Sequence, residues 1–139
     1  LLKFDLPLAK NLLEDEAKRI RYQKNVKILK DIGNFTLEQM VKVLAEMKEE
    51  DPNFSEFLQF IRDWYRDVLI VLVGADVRKL IFSTEMKTMK EKAEQYSLTK
   101  VNQILEAVDL AQDRIQANVK AELAMQMLLM EMKVGEDNG

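Results

Sequence analysis

Proton transfer, nucleophilic attack and metal binding each need particular side chains, and this chain of 139 residues supplies few of them: it has no His and no Cys. That excludes imidazole bases, thiolate nucleophiles, disulfides, the usual zinc sites and the Glu-x-x-His pairs of di-iron bundles. Carboxylates remain. Glu46 with Glu50, and Glu91 with Glu94, stand at helical spacing, where two acids could hold a cation or act as acid and base. Lys42, Lys48, Lys90 and Lys92 stand beside them and no third ligand converges, so the pairs read as solvated helix faces. No Gly-rich phosphate loop, no G-x-S-x-G elbow and no Ser-x-x-Lys pair in a catalytic context occurs. The sequence therefore reads as a chain without catalytic chemistry, cofactor or metal of its own.

The cations Lys18, Arg19, Arg21, Lys24, Lys27 and Lys30 are a second candidate. Spacings of three keep Lys18, Arg21, Lys24 and Lys27 loosely on one side of a helix, where they could meet phosphates. Glu14, Asp15, Glu16 and Asp31 bracket them, and no aromatic set accompanies them for base stacking. Lys30 to Val43 makes a poor helix-turn-helix, because Glu38 and Gln39 would lead the recognition helix and the acid would repel the backbone. With 21 basic and 24 acidic residues the net charge is -3, so no strong field draws the whole chain to nucleic acid.

The elements that must position these residues are helical. Four Gly and two Pro are too few for a turn-rich sandwich or barrel, and 47% hydrophobic with 32% charged residues is a globular mixture. Pro7 opens a short apolar stretch from Leu6 to Leu13. A helix from about Glu14 to Ile32 follows, with Ala17, Ile20, Val26, Leu29 and Ile32 expected inward, and Gly33-Asn34 ends it. Thr36 and Gln39 suggest a capping box for the next helix, whose expected buried stripe is Leu37, Met40, Val41, Leu44 and Met47. Asp51 as N-cap with Pro52 at the first helical position predicts a third helix. Its broad face runs through Phe54, Phe57, Leu58, Ile61, Tyr65, Val68 and Leu72, widened by Phe60, Trp64 and Val71, and Gly74 closes it. Val77 to Phe82 is a short segment, Ser83-Thr84 the next cap, and Met86, Met89, Ala93 and Tyr96 mark a fourth helix. Ser97 opens a fifth, with Val101, Ile104, Leu105, Val108, Ala111 and Ile115 on one face, and Asn118 is a joint before a sixth from Ala121 to about Val134. The expectation is an all-α bundle of five or six helices.

That sixth helix is unusual. Ala121, Ala124, Met125, Leu128 and Met132 form one face, and Leu123, Met127, Met130 and Val134 cover the other. A helix apolar nearly all round is enclosed by its own core or by a partner, and four Met in eight residues make an adaptable surface. The longest apolar run, Val68 to Val73, is six residues, short of the ~20 that cross a bilayer. Lys3 and Asp5 interrupt the opening apolar residues, so no signal peptide is visible, and a cytoplasmic location is the default expectation. The chain opens at Leu1 without Met and reads as a piece of something longer.

One pattern runs through nearly the whole chain. Trp64-Tyr65-Arg66-Asp67-Val68-Leu69 is followed by Gly74-Ala75-Asp76, by Ala93-Glu94-Gln95-Tyr96-Ser97-Leu98, and by Ile115-Gln116-Ala117-Asn118-Val119-Lys120 before Leu123 and Leu128-Leu129. This order and spacing resembles the C-terminal collar domain of the delta-prime subunits of bacterial DNA polymerase III, with the gamma/tau subunit the main confusable relative. Leu8 to Glu14 looks like the close of the preceding AAA+ lid. The resemblance implies residues 1–14 as the end of the lid region, 15–135 as the helical collar, or oligomerisation, domain and 136–139 as a polar tail. Relatives often carry a second Asn two positions after the first. Lys120 stands there in this chain, which would leave Asn118 to cap the final helix alone.

What the resemblance implies is architectural: a non-enzymatic domain of a DNA polymerase holoenzyme, joining the clamp-loader ring for DNA replication. Its partners would be gamma/tau and delta through the collar, with DNA and the sliding clamp met only through the whole complex, and no membrane and no cofactor. Ring contacts need two different faces. Leu123, Met127 and Met130 are the candidates for one interface, Phe60 and Trp64 for another, and Arg66, Asp67 and Asn118 are motif residues of structural role. Arg66 is within reach of Asp63, while Asp67 projects about 100° away and would cap or bridge something outside its helix.

Overall fold

A computed structural model of the chain describes residues 6–138, and among them the fold is all-α. Helix α1 is Leu6–Asp31, α2 Leu37–Lys48, α3 Ser55–Leu72, α4 Met86–Gln95, α5 Leu98–Gln116 and α6 Ala121–Asn138, with single 3-10 turns at Ile32–Asn34, Val77–Lys79 and Ser83–Glu85. The chain divides into two units, Leu1–Lys30 and Asp31–Gly139.

In the first unit the described residues form one continuous helix. Of the stretch expected to close a preceding lid, residues 1–5 lie outside the described part, and Leu6 runs into Glu14 and onward without a break. Pro7, which lacks only a donor that the first helical turn leaves unpaired anyway, does not interrupt it. Val26 and Leu29 are buried as expected, whereas Ala17 is exposed and Ile20 is 41% exposed. Lys18, Arg19, Lys24 and Lys27 are exposed, and Arg19 pairs with Glu16 one turn earlier, which holds the Glu16 carboxyl below its ordinary range.

In the second unit the packing order is α4 on α3, α3 on α5, α5 on α6 and α6 on α2. Short local signals set the ends of these helices. Thr36 Oγ1 accepts from Gln39 N at 3.1 Å while Gln39 Oε1 accepts from Thr36 N at 2.8 Å, the reciprocal box that opens α2. Ser97 Oγ accepts from Lys100 N to open α5. Gly74, at φ +72°, closes α3 with Ala75 N donating to Ile70 O and Gly74 N to Val71 O. The Leu69–Leu72 run, rich in branched residues, stays helical as its period requires.

The start of α3 differs from the sequence expectation. Asp51 is not followed directly by helix: Pro52 and Asn53 form a turn, and Ser55 is the first helical residue. The Asp51 carboxylate still caps the helix, reaching across the turn to accept from Ser55, Glu56 and Phe57 N at 3.0, 3.0 and 3.3 Å. Phe54 sits between them at φ 55°, a left-handed conformation that costs a bulky residue about 1–3 kcal/mol. Its ring is fully buried, which returns a similar ~1.5–3 kcal/mol. The turn exists because it delivers that ring to the core.

Two further readings are corrected by burial. In α2, Met40 and Leu44 are enclosed, but Leu37 is 56% and Val41 40% exposed. In α6 the helix does not stop near Val134 with a polar tail from 136; it continues through a buried Gly135 to Asn138.

Replacing Asp51 with Ala should cost about 1–2 kcal/mol, the value of a lost N-terminal cap, read as a lower urea midpoint, with Asp51→Asn falling between. An unchanged midpoint for Asp51→Ala would show that the three amides find other partners.

Candidate interaction surface

The two faces read in the α6 sequence have opposite fates. Of the expected inner face Ala124, Met125, Leu128 and Met132 are at most 2% exposed and Ala121 is half-buried; Leu129, outside that expected set, is fully buried with them. Leu123, Met127, Met130 and Val134 are 49, 45, 39 and 40% exposed. At 100° per residue, steps of four, three and four put the exposed set within an arc of about 60°, and no polar residue falls inside it. This is the spacing of a coiled-coil seam, pointing away from the core.

Polar anchors fix the rest of the helix. Near its start Glu122 Oε1 accepts from Lys48 Nζ at the end of α2, at 2.8 Å, and that contact holds the Glu122 carboxyl below its ordinary range. Near its end Lys133 Nζ donates to the carbonyls of Gly33 and Phe35, at 3.0 and 2.7 Å, just before α2 begins. The two helices are therefore antiparallel. Leu37 and Val41 precede Lys48 by eleven and seven residues, which puts them on the same side of α2 as Lys48, and both are exposed.

The last turns of α6 are held most tightly. Lys92 of α4 and Glu136 form an ion pair in which each side chain is 9% exposed. Lys92 is thus a buried partner rather than one of the solvated neighbours of Glu91 and Glu94, which are themselves exposed. A Cβ on Gly135 would lie 3.0 Å from the Tyr96 ring and 3.1 Å from Ile104, tighter than most such contacts, so that the buried neighbours would have to give way; glycine lets α6 approach there without that shift. Tyr65 and Tyr96 meet edge-on at 5.9 Å with their hydroxyls 3.4 Å apart. Burial pushes the Tyr65 hydroxyl far above the ordinary phenol range. Burial does the same to Tyr96, with the neighbouring Tyr65 and Glu136 adding to it.

The second expected interface, on the flank of α3, is not open. Trp64 is 0% exposed and Phe60 half-buried. Phe82 covers both, its ring 5.2 Å from Trp64 and 5.0 Å from Phe60, each at an edge-on angle. Asp67 holds that cover in place: fully buried, it accepts from Ile81 N at 3.1 Å and Phe82 N at 2.7 Å. The enclosure leaves Trp64 Nε1 without a hydrogen-bond partner among the described residues, a cost of about 1–3 kcal/mol that the aromatic packing must offset. Arg66 is exposed, and Asp63 accepts instead from Gln59 Nε2.

Asn118 is a joint of a different kind from the one expected. At φ 67° it ends α5, with Val119 N donating to Arg114 O and its own N to Ile115 O. This is the same closure that Gly74 makes for α3, achieved by a residue that tolerates the left-handed region. It caps the helix before it, not the helix after it. Among the described residues no group of three or more metal-ligating side chains gathers, and no helix is long and apolar enough to cross a membrane.

Both tyrosines have hydroxyl pKa values raised by folding, so their contribution is complete below about pH 10, the unfolded value, and is lost as pH rises beyond it. The urea midpoint should fall above that pH, and more gently in the Tyr65→Phe, Tyr96→Phe double variant; identical slopes would assign the loss to other groups. Asp67→Ala should cost about 2 kcal/mol, because the buried Phe82 amide and the part-buried Ile81 amide lose their carboxylate acceptor, and should red-shift the fluorescence of Trp64, the chain's one tryptophan. Emission unchanged from the parent would mean that Phe82 stays in place without Asp67. Comparison with known protein families, curated proteins and solved structures finds no match to this chain.

Proposed function

We propose that this chain is an assembly module, the collar domain of a bacterial clamp-loader subunit of the delta-prime type, which helps to hold the loader ring together during DNA replication. The observation that carries the reading is the outward face of α6: Leu123, Met127, Met130 and Val134, four half-exposed apolar residues in one arc. Surface side chains of a helix are ordinarily charged or polar on the side away from the core. An apolar seam there, at coiled-coil spacing and on a helix anchored at both ends, suits docking against a partner helix. The family assignment itself rests on the sequence pattern from Trp64 to Leu129.

In this reading the chain performs no chemistry. Its part is positional: the bundle presents a rigid seam, neighbouring subunits seat on it, and the order and spacing of the ring follow. Motion driven by nucleotide in other parts of the loader then acts against a fixed frame. The partners are the gamma/tau and delta subunits, and the setting is the bacterial cytoplasm.

The test is association. Mixed with purified gamma/tau and delta subunits, the chain should co-elute in size-exclusion chromatography with light scattering. Met127→Glu with Met130→Glu should weaken that association by about tenfold or more, the loss expected for a central apolar contact, while circular dichroism stays helical. Leu110→Glu, at an exposed position on α5, is the control. If the chain stays monomeric across micromolar mixtures, the assembly reading is wrong. If it instead binds DNA with a steep salt dependence through Lys18, Arg21, Lys24 and Lys27, the function belongs to α1.

A further inference from the structure

The eight methionines of this chain fall into three groups by exposure. Met40, Met89, Met125 and Met132 are 0% exposed, Met47 and Met86 are half-buried, and Met127 and Met130 stand at 45% and 39%. The two exposed ones are three residues apart on the same helix face, in the middle of the apolar seam. We propose that Met127 and Met130 are an oxidation-sensitive pair that regulates this surface, a peroxide converting both to sulfoxides and so blocking the partner from docking. The inference rests on the assembly reading above and adds its control.

The chemistry is a two-electron oxygen transfer. The thioether sulfur attacks one peroxide oxygen, the O–O bond breaks, an S–O bond forms and, with hydrogen peroxide, water leaves; sulfur is oxidised and the peroxide reduced. A dithiol-dependent reductase can reverse it, the sulfoxide oxygen leaving as water while the two thiols become a disulfide. The consequence follows from placement. Sulfoxide oxygen is a strong hydrogen-bond acceptor, and burying it in an apolar contact without a donor is unfavourable. Between Leu123 and Val134 the exposed arc carries no side-chain donor. The bundle is insulated from the change, because Met125 and Met132 point to the opposite side of α6 and the core does not use Met127 or Met130. A seated partner would also shield both sulfurs, so the unassembled chain is the form that reacts.

The experiment treats the whole chain with dilute hydrogen peroxide and follows each methionine by peptide mass mapping, with association to gamma/tau and delta measured on the same samples. Met127 and Met130 should gain oxygen at least ~10-fold faster than the four enclosed methionines, whose reaction needs local opening. Circular dichroism should hold, and association should fall about tenfold or more as both sulfoxides form. The Met127→Leu, Met130→Leu variant, compared only with its own untreated sample, should show no effect of peroxide. Oxygen spread evenly over all eight positions, or arriving first at Met47 or Met86, overturns the proposal. Association that survives complete oxidation of the pair overturns it while leaving the assembly reading intact. An untreated chain that never associates removes both.

Discussion

A helix can be enclosed on all sides only if other elements surround it, and α6 lies against α2 and α5 with its third side open. Its sequence is apolar on nearly its whole circumference, so the bundle can satisfy only part of it. The inner residues, Ala124, Met125, Leu128, Leu129 and Met132, stabilise the fold by burial. The outer four do so about half as well as they could, leaving roughly 1 kcal/mol of unused burial for each. That sum is near the lower end of the ~4–15 kcal/mol that association costs in lost freedom. A partner that covered α6 alone would bind weakly. One that also covered Leu37 and Val41, which are exposed on α2, would gain further apolar burial.

The rigidity of the seam comes from groups that are not part of it. Lys48 with Glu122 ties one end of α6, Lys133 with two carbonyls and Lys92 with Glu136 tie the other, and Gly135 allows the close approach to Tyr96 and Ile104. A buried ion pair such as Lys92–Glu136 contributes little net stability against an apolar alternative, but losing one partner would strand a charge. Its effect is to permit one seating of the helix and penalise others. A seam held this way can be pre-organised, and pre-organisation lowers the ordering cost that any partner must overcome.

The α3 flank shows how an apolar excess can end differently. Phe60 and Trp64 widen the face of α3 much as Met127 and Met130 widen that of α6, and by periodicity alone both excesses invite a partner. The chain itself covers the first. Asp67 recruits the backbone of Ile81 and Phe82, and the Phe82 ring closes over the indole. Among the described residues no segment folds back over the outer face of α6, and Leu123, Met127, Met130 and Val134 stay exposed.

What was legible in the sequence is what a few consecutive residues can decide. Thr36 with Gln39, Ser97 and Gly74 act within one turn through backbone amides and carbonyls, so residue type and spacing suffice to place those helix ends. The 3.6-residue period likewise separates the two faces of α6 and the helical character of Leu69–Leu72. Contacts between distant residues were not legible: Lys92 and Glu136 are 44 positions apart, Asp67 and Phe82 15, and Lys133 and Gly33 100. Nothing local distinguishes Lys92 from the lysines around it, and Leu37 looks as inward-facing as Met40 until α2 is seated. Which apolar face is covered depends on the order in which helices pack. That order is decided by long-range burial and a handful of buried polar pairs, and these exist only once the chain has folded.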